Sequence, residues 1–599
     1  DPMMARVAPE QCLFYTTWSG MAAPDAASTN QLEQLLAEPE IQHFFTALER
    51  QIMASIRKAV KKEEPAAVPL VDEIAGWVKM LLTHPAAMFV SELKMSPRGP
   101  EIRGGVLVHV GPDAAKLKTW LVSQQAALLR GMAEQVEIQG KTWYRLRLDP
   151  DAPEITWGTK GEYLVVGVGH GNAEKILARM ETPSPEWLTR LRRRLPVERV
   201  STVSYVNLKM LTSAEMGMPI PAEVFQAFGL DNVSWLASVS GLDRQDYVTR
   251  TLLATDGEPR GMLGTMVEGR LSARDLAVIP ADATVAVAAK IDAGKVFDAF
   301  LSVLEQLNPR GHAYFTEALE YMESDLDINL RGDVLGTLGD TWRVYSSPGE
   351  GGLLVTGLTG VVDVRNRPRL ATAHGKWLAT LRAELTQHEH YRTPRIEQFK
   401  FAGHDVFFFD SRDDDFLLAP AWCLTDKELI VAAMPQNVKA YLSRGKDFKS
   451  LGSLSSVAEQ FSSSAGPVVF ARCDTRQVFD VVYPLVPIFV QAVFSDLHRE
   501  GIDLKISMLP SAPAIRKHLR PSVCTLRKTD AGIESIRRQT IPLGSAVVVA
   551  PMVSFVMLGE LAARDVEIRM IETSRNRPVA RPEKARPSDR RQQILPQVP

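Results

Sequence analysis

The stretch WGTKGEYLVVGVGHGNAEKIL at residues 157–177 lies without gaps on WCLTDKELIVAAMPQNVKAYL at 422–442. Trp157 falls on Trp422, Leu164 on Leu429, Val166 on Val431, Asn172 on Asn437 and Leu177 on Leu442. Each copy reads as an apolar strand-type run, a corner and a helix. Alone, the first copy suggests a phosphate loop, because Gly167, Gly169 and Gly171 stand between strand and helix, where backbone amides hold anions. Its spacing is G-x-G-x-G, without the later glycine of a dinucleotide fingerprint. The second copy keeps strand and helix but has Ala432, Met434 and Gln436 at those places. A corner made twice, once without glycines, belongs to the fold first. Gly167, Gly169 and Gly171 stay as an anion-loop candidate, and no cofactor is expected. Asn172 and Asn437, kept in both copies, are expected to cap the helix starts.

Outward from this corner the correspondence continues in order. VAPEQCLFY at 7–15 matches VIPADATVA at 278–286, and GGVLVHVGPDAAKLKTWL at 104–121 matches LTGVVDVRNRPRLATAHGKWL at 358–378. VSTVSYVNLKML at 200–211 follows the plan of PVVFARCDTRQVF at 467–479. VSWLASVSGLDRQDYVTRTLL at 233–253 parallels SVCTLRKTDAGIESIRRQTIPL at 522–543. Such order at one long period predicts a tandem duplication. Strands separated by short polar turns predict antiparallel pairing. The expected class is α+β, as two tandem homologous repeats, each a mainly antiparallel sheet with helices packed on one face. The expected boundaries are 1–273 and 274–543, then an apolar segment at 544–563 and an Arg/Pro-rich tail at 564–599 that reads as disordered. In the first repeat, strands are expected at 11–17, 87–95, 102–110, 134–139, 142–148, 154–168 and 200–208, with a hairpin over 232–254. Helices are expected at 29–62, 68–82, 113–131 and 172–180, with a helical region at 212–228.

A chain of 599 residues exceeds one core. Its 45% apolar and 23% charged content is that of a globular protein, and a net charge of −2 gives no general pull toward nucleic acid. Cys12, Cys423, Cys473 and Cys524 show no C-x-x-C pair and read as small buried hydrophobes. Cys473 and Cys524 could occupy neighbouring strands, and no bridge follows from the sequence. The chain begins at Asp1, as a cleaved secretory signal would leave it. Residues 541–563 carry one charge, Glu560, and precede an arginine-rich stretch, the pattern of a membrane anchor. Pro551 and Glu560 speak equally for a buried or partner-covered element.

VAPEQCLFYTTWSG at 7–20, LLTHPAAMFV at 81–90, LGDTWRVYSSPGEGGLLVTGLTGVV at 338–362 and APAWCLTDKELIVAAMPQNVKAYL at 419–442 together resemble a family of large uncharacterised planctomycete-type proteins. The resemblance implies a duplicated α+β unit and an extracytoplasmic place in the periplasm or cell envelope. It brings no catalytic residues.

Two equivalent hairpin turns are acidic: Asp149, Asp151 and Glu154 in one, Asp410, Asp413, Asp414 and Asp415 in the other. Clustered carboxylates can hold calcium, although neither turn has EF-hand spacing, and solvated turns read the same way. His388 and His390, with His374 upstream, are a further ligand group lacking a third partner of its own segment. SIRK at 55–58 and SELK at 91–94 match S-x-x-K without its companion motifs. The expected function is a non-enzymatic cell-envelope scaffold or binding protein with a protein partner or self-assembly, without nucleic acid, and with membrane association possible through 541–563. The alternatives are an enzyme using a cleft between repeats, and a ligand- or calcium-binding module.

Overall fold

Among the described residues, ten strands alternate with helices up to residue 255: β1 Phe14–Trp18, β2 Ala86–Ser96, β3 Gly99–His109, β4 Glu134–Ile138, β5 Lys141–Leu146, β6 Ile155–Lys160, β7 Tyr163–Val168, β8 Arg199–Asn207, β9 Val233–Asp243 and β10 Asp246–Thr255. Ten more follow: β11 Val285–Lys290, β12 Leu338–Ser346, β13 Thr359–Val364, β14 Arg395–Phe401, β15 His404–Asp410, β16 Ala421–Leu424, β17 Glu428–Ala432, β18 Val469–Cys473, β19 Ser522–Thr529 and β20 Gly532–Gln539. The structure is a computed structural model. It describes residues 1–542 apart from 64, 66–67, 97–98, 118, 120–132, 148–151, 212–221, 388–394, 411–417, 463–465 and 492–505.

All strand pairs among the described residues are antiparallel, and they make one sheet of mixed helix-and-strand architecture. The first ten run across it as β4-β5-β6-β7-β3-β2-β1-β8-β9-β10. The second ten run as β14-β15-β16-β17-β13-β12-β11-β18-β19-β20. β10 pairs with β20 from Tyr247↔Gln539 to Ala254↔Gly532 and joins the two sets. The turn residues explain the hairpins. Gln139 and Gly140, and Ala402 and Gly403, take positive φ, the primed-turn geometry whose twist suits paired strands. Positive φ at Gly161 breaks the expected 154–168 strand into β6 and β7. Likewise the expected 29–62 helix divides into Gln31–Ala37 and Pro39–Glu63, because Pro39 holds Glu38 in an extended conformation.

Tyr15, Phe89, Leu107, Val165 and Val203 face one side of the sheet and are sealed by Ile176, Leu177, Leu188 and Leu191 of helices Asn172–Met180 and Glu186–Arg194. Across the junction, Tyr345, Val361, Ile430 and Phe470 are sealed on that side by Val438 and Tyr441 of helix Pro435–Leu442 and by Leu451 and Val457. Helices were expected on one face only. The other face also has cover: Trp77 and Met80 of helix Val68–Thr83 lie on Val106 and Val108. Leu370 and Leu378 of helix Arg367–Gln387 lie on Val362, Phe407 and Trp422. Strands such as β3 alternate between two apolar sets, so both faces need partners. Among the described residues the cover on this second face is partial. No helix of the described residues is long and apolar enough to cross a membrane, and the 541–563 segment lies outside them from residue 543 onward.

Candidate functional site

The glycine corner has a steric explanation at each position. A Cβ on Gly167 would stand 2.4 Å from the Ala173 backbone nitrogen, so this glycine lets the helix approach the strand. Gly169 and Gly171 hold φ of +89° and +70°. In the second copy Met434 is extended and Pro435 opens the helix, two aligned positions earlier, so no positive φ is needed. The expected asparagine caps are not formed. Neither Asn172 nor Asn437 bonds a helix amide as a cap. Both are buried, and Asn172 Nδ2 donates to Val168 O at 2.5 Å. With the Asn437 amide turned so that its nitrogen faces the acceptors around it, that nitrogen reaches Thr356 O at 2.9 Å and Met434 O at 3.3 Å. In each copy the side chain turns to a nearby backbone carbonyl in preference to the helix end.

The structure brings the glycine loop and the first acidic turn together at Glu154. Gly169 N–H donates to Glu154 O at 2.7 Å. The buried Glu154 carboxylate accepts from Arg147 Nη2 at 3.1 Å and lies 3.1 Å from Arg145 Nε and 3.4 Å from His170 Nδ1. Its charge is answered by the two arginines, an internal clasp between β5, β6 and the corner. Asp149, Asp151, Asp413, Asp414 and Asp415 lie outside the described residues, and Asp410 closes β15 opposite Arg395. Among the described residues no three His, Cys, Asp or Glu side chains converge as metal ligands would. His388 and His390 are also outside. His374 accepts a bond from Trp422 Nε1 at 2.8 Å, and burial, with Arg382 nearby, holds its pKa below the usual value. All four cysteines are free. Cys473 and Cys524 do occupy neighbouring strands, but Cys524 stands opposite Ala471 and Cys473 opposite Ser522.

Two features had no motif. A charged group gathers on the sealed face of the β10–β20 junction. Arg250 stands between Val239 on β9 and Ile536 on β20, with Arg538 and Glu534 on β20, Arg527 on β19 and Asp243 on β9 around it. Elsewhere, a cavity of about 60 Å³ lies between helix Pro2–Arg6, Tyr15, Trp18 and Arg192, far below the several hundred Å³ of a typical small-molecule site.

The second feature is an uncovered apolar strip on the partly covered face. Val287, Val344, Gly360 and Val431 are register neighbours across β11, β12, β13 and β17. The valines are 37%, 45% and 48% exposed. Leu358, two residues before Gly360, is exposed as well, as are Leu353 and Val355 in the β12–β13 connection. The matching row in the first ten strands is Thr16, Met88, Val106 and Val166. There only Met88 is largely exposed, and Thr16 shares a hydroxyl contact of 3.1 Å with Ser204. The strip escaped sequence reading because AVAAK and LIVA segments carry the same residue types on both faces. No family model, curated protein or solved structure matches the chain.

Proposed function

We propose that this chain is a non-enzymatic binding scaffold of the cell envelope, built by tandem duplication of an α+β unit, with the Val287–Val344–Val431 strip as the docking surface for a protein partner. The duplication is supported by strand order: each strand of the second set pairs as the strand numbered ten lower does in the first. A buried contact supports it at residue level. Arg179 Nη1 donates to Val7 O at 3.3 Å and its guanidinium lies over the Phe89 ring. Arg444 Nη1 donates to Val278 O at 2.6 Å and lies over the Tyr345 ring. Val7 and Val278 are the residues matched by sequence. The natural division is then 1–273 and 274–543, meeting at β10 and β20.

The docking role rests on the strip itself. A row of valines half open to water costs free energy that a partner's surface would recover. Loop residues Leu353, Val355 and Leu358 extend it. The envelope placement is carried by the family resemblance. A photo-crosslinking residue placed at 344 or 431 in the native organism should yield one discrete protein adduct, lost when Val287 is changed to Asp in a chain of unchanged circular dichroism. Adducts no stronger than those from an exposed control at Lys427 would refute the docking role.

A further inference from the structure

The buried charge at the β10–β20 junction has no use in the docking surface, which lies on the opposite face. Arg250 forms no hydrogen bond and no ion pair with any described residue, and its Nε is buried without a partner. A guanidinium carries five donors, and leaving such a group half-buried and unanswered is costly. Its neighbours do not satisfy it. Arg538 is turned to Asp243, Nη1 to Oδ2 at 3.5 Å, and Arg527 Nη2 donates to Gln460 O at 2.7 Å. Glu534 stands across from Leu252, two strand positions from the Arg250–Ile536 pair and on the same face, without an ion pair to Arg250. Three arginines against two carboxylates leave one positive charge in excess around Arg250. Its side chain is partly open to solvent, so a small group can reach it.

We propose that Arg250 is the anchor of a carboxylate-binding site at the junction of the two strand sets. The planar fork of a guanidinium accepts a carboxylate in a two-bond arrangement, and a single negative charge balances the excess. A dianion would oppose Glu534 and Asp243 more strongly. Arg250 supplies the paired donors, Arg538 the flanking charge, and Ile536 and Val239 the apolar walls.

The full chain is melted in sodium acetate and in sodium chloride at equal ionic strength. Acetate is expected to raise the melting temperature saturably, on the order of 1 °C, by binding only the folded state. Sodium sulfate at that ionic strength should raise it less. Arg250→Leu should abolish the acetate-specific rise without lowering the melting temperature in chloride, because an unanswered charge is replaced by an apolar side chain between Ile536 and Val239. Arg250→Lys, which keeps the charge and loses the fork, should show a reduced rise. A blocked glutamate tripeptide in place of acetate separates an acidic side chain from a free acid as the natural source. An acetate rise equal in Arg250→Leu and the parent chain would overturn the proposal. So would the absence of any rise, together with lower melting temperatures in chloride for both Arg250→Leu and Glu534→Gln, which makes Glu534 the partner of Arg250.

Discussion

Replacing Glu350 with Ala should be among the most damaging polar substitutions in the chain. Arg444 and Glu350 are 13% and 11% exposed as side chains. Arg444 Nε donates to Glu350 Oε1 at 2.7 Å, Nη2 to Tyr345 Oη at 2.6 Å and Nη1 to Val278 O at 2.6 Å. Tyr345 Oη donates back to Glu350 Oε2 at 2.9 Å. Without Glu350 the guanidinium keeps two neutral acceptors and no counterion, and breaking a buried pair on one side costs about 3–5 kcal/mol. The matched Arg179 supplies the comparison, since among the described residues it has the Val7 carbonyl and the Phe89 ring but no carboxylate. Arg179→Met should therefore cost about 1–2 kcal/mol, one hydrogen bond and a cation–π contact. Guanidinium chloride unfolding of the full chain, followed by far-ultraviolet circular dichroism, measures both. Equal losses for Glu350→Ala and Arg179→Met, or a loss below about 1 kcal/mol for Glu350→Ala, would refute the reasoning.

Gly167→Ala should destabilise by about 1–3 kcal/mol in the same assay, because the new methyl meets the Ala173 backbone at 2.4 Å. Acid should loosen the Gln31–Ala37 helix early. Arg199 holds the Glu33 carboxyl, and Lys517 and His518 the Glu38 carboxyl, below the ordinary value of 4.5. Carboxylates with depressed folded values contribute stability above 4.5 that is lost as pH falls through the folded value. Hydrogen exchange at residues 31–38 should thus rise relative to β8 and β9 as pH drops below 4.5, and uniform protection would contradict this. Burial pushes the Cys12 thiol up to about 12 and the Cys423 thiol up to about 11, with Cys473 and Cys524 raised in the same way. A thiol reagent at pH 8 should label none of the four in the native chain and all four in denaturant.

The corner at 157–177 and its partner at 422–442 were legible because strand, turn and helix each leave a local mark. The helix Asn172–Met180 has its expected bounds. The pairing of β10 with β20 was not legible, since it joins residues almost three hundred apart with no turn between them. Capping rules misplaced Asn172 and Asn437 because they are local, whereas the winning acceptors were carbonyls of the corner and of Thr356. Arg250 resembled any strand arginine until its neighbours Val239 and Ile536 were known.

Joining two ten-strand sets at β10 and β20 also determines where a partner can sit. Each set alone would expose a long inner edge of eight paired positions, a template for aggregation. Pairing covers both, and the edges that remain among the described residues, β4 with Glu134 and Glu137 and β14 with Arg395 and Lys400, carry charges that discourage further pairing. Assembly by edge addition is thereby disfavoured, so the proposed partner would approach a face. One face is sealed by the corner helices on both sides of the junction. The other offers hydroxyls near the junction, in the Thr16–Ser204 and Ser238–Thr251 pairs, and valines in the second set. On the duplication reading the cores and the corner stayed alike while this strip diverged, which is where selection for a partner would act.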